Sequence, residues 1–246
     1  MNALIFDVDG TLADTEDVHR ACFNAAFMQG GLDWHWPRPL YRDLLKVAGG
    51  KERIGAYIDR LNMRESHRKA LRERIPEIHA EKTRLYGRAV AEGKVPLREG
   101  VARLIEQAQE AGWHLAIAST TTAANVDALL QATLGAHALA MFSAIACGDV
   151  VSEKKPAPDI YQLVLRTLDI APEDAVAVED SVNGLRSATA AGLWTVVTPT
   201  YWSEGGDFSE AALVLPNLAE LTMARLIELR TPRSVDPLRA LYQGAW

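Results

Sequence analysis

Two carboxylates stand two residues apart in Asp7-Val8-Asp9-Gly10-Thr11, directly after the apolar segment Ala3-Leu4-Ile5-Phe6. So placed, they can share a cation, or act as a nucleophile and its acid–base partner. Three further chemical groups follow. Ser119 comes after Leu115-Ala116-Ile117-Ala118, Lys155 sits in Lys154-Lys155-Pro156-Ala157-Pro158-Asp159, and the acidic pair Glu179-Asp180 comes after Ala175-Val176-Ala177-Val178. Each has a second reading. Asp and Gly are ordinary turn formers, Ser119 is a natural helix N-cap, and Glu179-Asp180 suits the start of a helix.

The elements that must position these groups can be read from periodicity. Residues 3–6 form a short apolar run, as expected for a buried strand, and Gly10 opens the turn after it. At the carboxyl end of a strand in an open α/β sheet, side chains face the crevice where such folds bind ligands. From 101 onward helical and strand patterns alternate: helices over 101–111, 121–131, 159–168 and 183–191, and strands over 114–118, 142–146, 175–178 and 195–197. This alternation predicts an α/β fold with a Rossmann-like, doubly wound parallel sheet. Between the first strand and the rest, the chain is helical in pattern and rich in Arg, Glu and Ala. The catalytic core is therefore expected to be discontinuous, residues 1–15 and 94–246, with a helical cap over 16–93. Residues 230–246 read as a surface appendage.

Composition narrows the function classes. The chain has 246 residues, 48% of them apolar, enough for a sizeable core. Its formal charge is −6, from 26 basic and 32 acidic residues, which gives no footing for nucleic-acid binding. An anionic ligand must therefore meet local basic residues. Cys22 and Cys147 read as packed, reduced thiols. No apolar stretch is long enough to span a bilayer and no signal segment is evident, so a cytoplasmic protein without a membrane partner is expected.

Asp7-Val8-Asp9-Gly10-Thr11-Leu12, Ser119, Lys155 before Pro156, and Glu179-Asp180 together resemble the four motifs of the haloacid dehalogenase-like phosphohydrolases, in that superfamily's order. The resemblance implies a Rossmann-like core with a helical cap inserted after the first motif. It also implies roles. Asp7 is the nucleophile that forms an aspartyl-phosphate, and Asp9 is the general acid and then the base that activates water. For that role the pKa of Asp9 must lie above that of Asp7. Ser119 and Thr120 meet the phosphate, while Lys155 neutralises both it and Asp7, leaving Lys154 solvated. Asp7, Asp180, Glu179 and the backbone carbonyl of Asp9 make an all-oxygen Mg²⁺ site, with Asp180 a direct ligand and Glu179 acting through water. Asn183 is a supporting hydrogen-bonder.

In the cap, Gly49-Gly50-Lys51-Glu52-Arg53 combines two glycines with two cations and can hold a distal phosphate through Gly50, Lys51 and Arg53; its plain alternative is a helix–helix turn. Lys82 can reach the same group, while His19, Glu16 and Asp17 are placed for sugar hydroxyls. Trp34-His35-Trp36-Pro37 reads as core and turn. This cap resembles the beta-phosphoglucomutase/CbbY-like branch. That resemblance implies a phosphatase of a small sugar phosphate, acting on xylulose-1,5-bisphosphate to give xylulose 5-phosphate and so removing a rubisco inhibitor of the Calvin cycle; a monomer is expected. A phosphoryl mutase or a broader sugar-phosphate phosphatase would use the same residues, whereas a noncatalytic binder would have no need of the full set. A haloacid dehalogenase needs neither Asp9 nor a metal.

Overall fold

The computed structural model describes residues 2–230; the expected appendage, beyond Arg230, lies outside them. Its centre is a six-stranded, all-parallel sheet in the order β3-β2-β1-β4-β5-β6. The strands are β1 (Ala3–Phe6), β2 (His114–Ser119), β3 (Ala144–Cys147), β4 (Ala175–Glu179), β5 (Trp194–Val197) and β6 (Leu213–Val214). This is the α/β doubly wound fold expected from the sequence.

Side-chain size alternates along the central strands and sorts the helices into two layers. Leu4, Phe6, Leu115, Ile117, Val176 and Val178 point to one face. There they meet α6 (Val101–Glu110), α7 (Ala123–Leu134) and α10 (Met223–Arg230) through Leu104, Ile105, Val126, Leu129 and Leu226. Ala3, Ile5, Ala116, Ala118, Ala175 and Ala177 point to the other face. Those small side chains meet Ile160, Tyr161, Val164 and Leu165 of α8 (Asp159–Leu168) and Ala188 of α9 (Val182–Ala190). Both faces are covered, as a parallel sheet requires.

Five helices intervene between β1 and α6: α1 (Glu16–Gln29), α2 (Arg38–Leu44), α3 (Gly50–Arg60), α4 (Glu65–Glu73) and α5 (Ile75–Ala91). They carry their own apolar cluster, with Phe23, Phe27, Trp36, Tyr41, Leu44, Ile54 and Ile58 at its centre. The Trp36 segment is thus packing, as expected, and Trp36 is fully buried. At the base of the insert, Cys22, Tyr86 and Val90 join the core cluster instead. Both cysteines are buried and free.

The structure departs from the periodicity in four places. The third strand starts at Ala144 rather than 142, because residues 138–141 turn as a 3-10 helix first. The two-residue β6 and the eight-residue α10 carry too little pattern to have been read. Trp202, in the loop after β5, is buried in the apolar cluster of the insert, its ring 5.6 Å from Tyr41 in a T-shaped contact. This contact ties a loop of the sheet domain to the helical insert.

Truncating that anchor leaves a cavity between the two parts of the chain. Trp202→Ala is expected to lower the unfolding free energy by about 3 kcal/mol, read from urea denaturation; a loss within 0.5 kcal/mol of zero, roughly the level of surface substitutions, would mean that the loop does not hold the insert.

Candidate functional site

The sheet reverses its direction of winding between β1 and β4, the position where doubly wound folds open a crevice. Phe6 pairs with Val178, and the next residue extends the ladder, the Asp7 amide donating to the Val178 carbonyl at 3.0 Å. Asp7 and Glu179 therefore leave adjacent strands side by side. Asp7, Glu179 and Asp180 are buried, with an oxygen from each within 4.8 Å of the others.

Glycine makes this crowding possible. Gly10 has φ +85°, and a Cβ there would lie 2.3 Å from Asp180 Oδ2; one on Gly184 would lie 1.9 Å from Glu179 Oε2. Arg98 then fastens the loop of the first motif: its guanidinium donates to the carbonyl of Gly10 and, at 2.7 Å, to that of Thr198. This arginine's role is invisible in the sequence, since a single Arg before a helix has no local signature.

One lysine answers two of the three carboxylates. Lys155 Nζ donates to Asp7 Oδ1 (2.8 Å), Glu179 Oε1 (2.5 Å) and the Ala118 carbonyl (2.8 Å). Tyr161, another residue not singled out by sequence, donates its hydroxyl to Glu179 Oε1 at 2.6 Å. Burial works against the Lys155 charge, but Asp7 and Glu179 outweigh it and hold the ammonium protonated. Burial pushes the Asp7 carboxyl up to about 7, against the pull of Lys155 and with added repulsion from Glu179 and Asp9. Asp180 is raised well above the carboxylate range by burial and then by Asp7 and Glu179. Its carboxylate accepts no hydrogen bond among the described residues.

This donor set fits a hard divalent cation. Of three buried carboxylates, two share one ammonium and the third, Asp180, lacks any donor among the described residues. A cation there would relieve the repulsion that now raises Asp7 and Asp180. The side chain of Asp9, expected at the metal only through its backbone carbonyl, is outside the cluster. It turns toward the insert, where Oδ1 accepts from Thr15 Oγ1 (2.7 Å) and lies 2.8 Å from His19 Nε2.

That turn reverses the expected order of acidity. Burial alone would raise Asp9, but the charge and hydrogen bond of His19, with the hydrogen bond of Thr15, override it and hold the carboxyl below the usual range. In this conformation Asp9 is the stronger acid of the pair, because its partners are the His19 imidazole and the Thr15 hydroxyl while Asp7 faces other carboxylates.

Ser119 ends β2, but it does not cap α7. The residue before that helix is Thr122, and the Ser119 hydroxyl instead accepts the Thr121 amide at 3.4 Å. Thr120 lines a cavity of about 50 Å³ together with Asp9, His19, Gly50, Lys51, Arg53 and Lys82, so these expected residues are brought together. Glu16 is close by, accepting from Tyr41 at 2.7 Å. Arg53 is turned inward and bonds the carbonyls of Leu44 and Val47, with its guanidinium over the Tyr41 ring. Gly50 is needed where it stands, since a Cβ would come 2.5 Å from His79 Nε2. His79 and Asn125 also line the cavity and were not read from sequence, where each is one polar residue on an otherwise ordinary helix. Burial, then Lys82 and Lys51, push His79 down to about 4.

Lys154 and Asn183 stand elsewhere than expected. Lys154 is not solvated: its side chain is 15% exposed and pairs with Glu52 and Asp149. Asn183 does not support the carboxylates; its amide donates to the Lys46 carbonyl of the insert at 3.0 Å.

Residues 1–192 match the haloacid dehalogenase-like hydrolase family model. Protein CbbY (plasmid) of Cupriavidus necator is 56% identical over 220 residues, which cover 89% of this chain and 87% of that protein. The crystal structure of CbbY from Rhodobacter sphaeroides with phosphate is similar at a TM-score of 0.85 and 45% identity, covering 92% of this chain and 99% of that one. A variant of that protein crystallised with xylulose-1,5-bisphosphate is also similar, at a TM-score of 0.85 and 45% identity over 91% of this chain and 98% of that one.

Removing the shared ammonium leaves two buried carboxylates without a counter-charge. Lys155→Met is expected to cost about 3–5 kcal/mol of stability in metal-free buffer, measured by denaturant unfolding, and added divalent cation is expected to restore part of it. A variant as stable as the parent would show that the carboxylates do not depend on Lys155.

Proposed function

The chain belongs to the haloacid dehalogenase-like hydrolases and is a phosphatase, a phosphoric monoester hydrolase; from that premise we propose that it is a Mg²⁺-dependent sugar-bisphosphate phosphatase whose substrate is xylulose-1,5-bisphosphate, converted to xylulose 5-phosphate. The observation that carries the reading is the pairing of a buried carboxylate cluster on the sheet with a cationic cavity under the helical insert. A substrate with two phosphates needs both. The relatives named CbbY, and the xylulose-1,5-bisphosphate bound to one of them, support the choice of sugar.

Asp7 attacks the phosphorus at C1, forming an aspartyl-phosphate. Lys155 favours the ionised form of Asp7 against its burial and neutralises the non-bridging oxygens, which Ser119 and Thr120 also meet. Mg²⁺ held by Asp7, Asp180 and the Asp9 carbonyl, with Glu179 behind it, would supply charge neutralisation for the transferring group. Asp9 protonates the leaving sugar oxygen and then takes a proton from the water that releases phosphate. As an acid it must first hold a proton, so its contact with His19 has to loosen when substrate binds.

Helices α1–α5 serve as the cap. The cavity of about 50 Å³ has room for only a few waters. The described conformation is thus closed, and the cap must move away to admit a sugar bisphosphate and to release product. Lys51, Lys82 and Arg53 take the distal phosphate, while His19 and Glu16 face the sugar hydroxyls. No described helix is long and apolar enough to cross a membrane.

The reaction is tested by Mg²⁺-dependent phosphate release from xylulose-1,5-bisphosphate, ribulose-1,5-bisphosphate, fructose-1,6-bisphosphate, beta-glucose-1-phosphate and phosphoglycolate, with Asp7→Asn as the blank. A preference for the xylulose compound of at least ~100-fold in kcat/KM, about 2.7 kcal/mol of differential transition-state binding, is expected. Flat hydrolysis across the panel would remove the substrate assignment. A pH profile tests the cap. Burial pulls Lys82 down to about 8, against the opposing charges of Asp9 and Glu16. Its positive charge is present below that pH and lost above it, so kcat/KM should fall on the alkaline side, and Lys82→Gln should flatten that limb. An unchanged limb in the variant would assign the titration to another group.

A further inference from the structure

Lys154 donates to Glu52 Oε1 at 2.7 Å and to Asp149 Oδ1 at 2.8 Å, and the other oxygen of Asp149 accepts from Lys51 Nζ at 2.6 Å. Lys51 and Glu52 lie in the first turn of α3, in the insert, whereas Asp149 and Lys154 lie in the core loop between β3 and α8. Asp149 is therefore a bridging anion, with one oxygen on a cation of the cap and one on a cation of the core. Hydrogen bonds from Lys154 and Lys51 pull its carboxyl down to about 2. Its side chain is 58% exposed, so water can take it up again when it is displaced.

The bridge edges the same cavity that lies over Asp9. Other polar groups around that cavity lack hydrogen-bond partners, His19 Nδ1 among them. Asn125 Oδ1 and Thr122 Oγ1 have no hydrogen-bond partner. The Lys82 ammonium makes none among the described residues and lies only against the Phe23 and Tyr86 rings, at 5.1 and 5.3 Å. Orphaned polar atoms at this density mark a place that a polar ligand fills.

We propose that Lys154 is a specificity residue for bisphosphates: the substrate's distal phosphate replaces Asp149 as the anion that joins Lys51 of the cap to Lys154 of the core. The inference rests on the phosphatase reading above and adds to it a core-borne half of the distal subsite. A phosphate ester carries up to twice the charge of a carboxylate and a third acceptor oxygen, so it bridges two ammonium groups better. A sugar monophosphate lacking the distal group leaves the Asp149 bridge in place and gains nothing from Lys154. Discrimination for two phosphates then arises at the seam between cap and core.

Calorimetric titration in the Asp7→Asn background, which stops turnover, with Mg²⁺ present, tests this with xylulose-1,5-bisphosphate against xylulose 1-phosphate. Lys154→Gln is expected to shrink the ratio of the two affinities by about tenfold, the loss of one charge-assisted hydrogen bond, and Lys154→Arg to restore most of it. Asp149→Asn is expected to tighten bisphosphate binding several-fold, because the competing anion is gone. An equal loss on both ligands in Lys154→Gln, or no loss on either, overturns the proposal. So does weaker bisphosphate binding in Asp149→Asn, which would make the bridge a simple clasp. Flat turnover across the substrate panel with the affinity ratio still shrunk by Lys154→Gln would sink the xylulose assignment and spare the subsite; panel selectivity with a ratio that Lys154→Gln leaves unchanged would do the reverse.

Discussion

An excess of buried negative charge at the β1/β4 crevice governs the rest of the architecture. Two unit charges about 4 Å apart repel by roughly 4 kcal/mol at an effective dielectric of 20, and Asp7, Glu179 and Asp180 lie within 4.8 Å of one another. A fold can hold such a cluster only if the backbone beneath it is rigid and counter-charge is supplied. Rigidity comes from strands covered on both faces, from two glycines that let carboxylates lie against the chain, and from Arg98 fastening the loop. Counter-charge comes from Lys155, insufficient alone, which is why the same residues can receive a cation.

The opposite wall of the crevice has the opposite character. Around the cavity under the insert stand Lys51, Lys82, Arg53 and Lys154, with His79 neutral among them. These cations are not equally available. Arg53 is committed to cap carbonyls, and Lys51 and Lys154 are balanced by Asp149 and Glu52, leaving Lys82 as the one held by ring faces alone. The two walls give the site a polarity. A ligand with two phosphates can place the one that reacts against the carboxylates and their cation, and the other among the ammonium groups, whereas the reverse orientation meets no nucleophile.

The sequence made the carboxylate wall legible because its residues directly follow apolar runs. A strand that ends in a charge announces both its burial and its exit into a crevice, and Phe6-Asp7 and Val178-Glu179 do this in adjacent strands. Residues acting across long sequence distances carry no such mark. Arg98, Tyr161, Asn125 and Trp202 are each a single polar or aromatic residue in ordinary surroundings, and only the folded chain shows Tyr161 against Glu179 or Trp202 within the insert. Lys154 was misread for a related reason. Of two adjacent lysines one must point away from the sheet, but away from the sheet is not toward water when a second layer of helices closes over it.

Asp9 joins the two walls and makes the chemistry depend on where the insert sits. Its carboxylate is held by Thr15, immediately before α1, and by His19, within that helix, so the group expected to move protons is bonded to the element that must move to admit substrate. The imidazole is itself stacked on Tyr86 of α5, at a centroid distance of 4.0 Å, so its position follows the insert. While these contacts hold, Asp9 is an ionised carboxylate of low basicity, with no proton to give. Loss of these two partners with burial kept would raise the carboxyl toward the protonated state an acid needs, so the acidity of Asp9 is set by its contacts with Thr15 and His19.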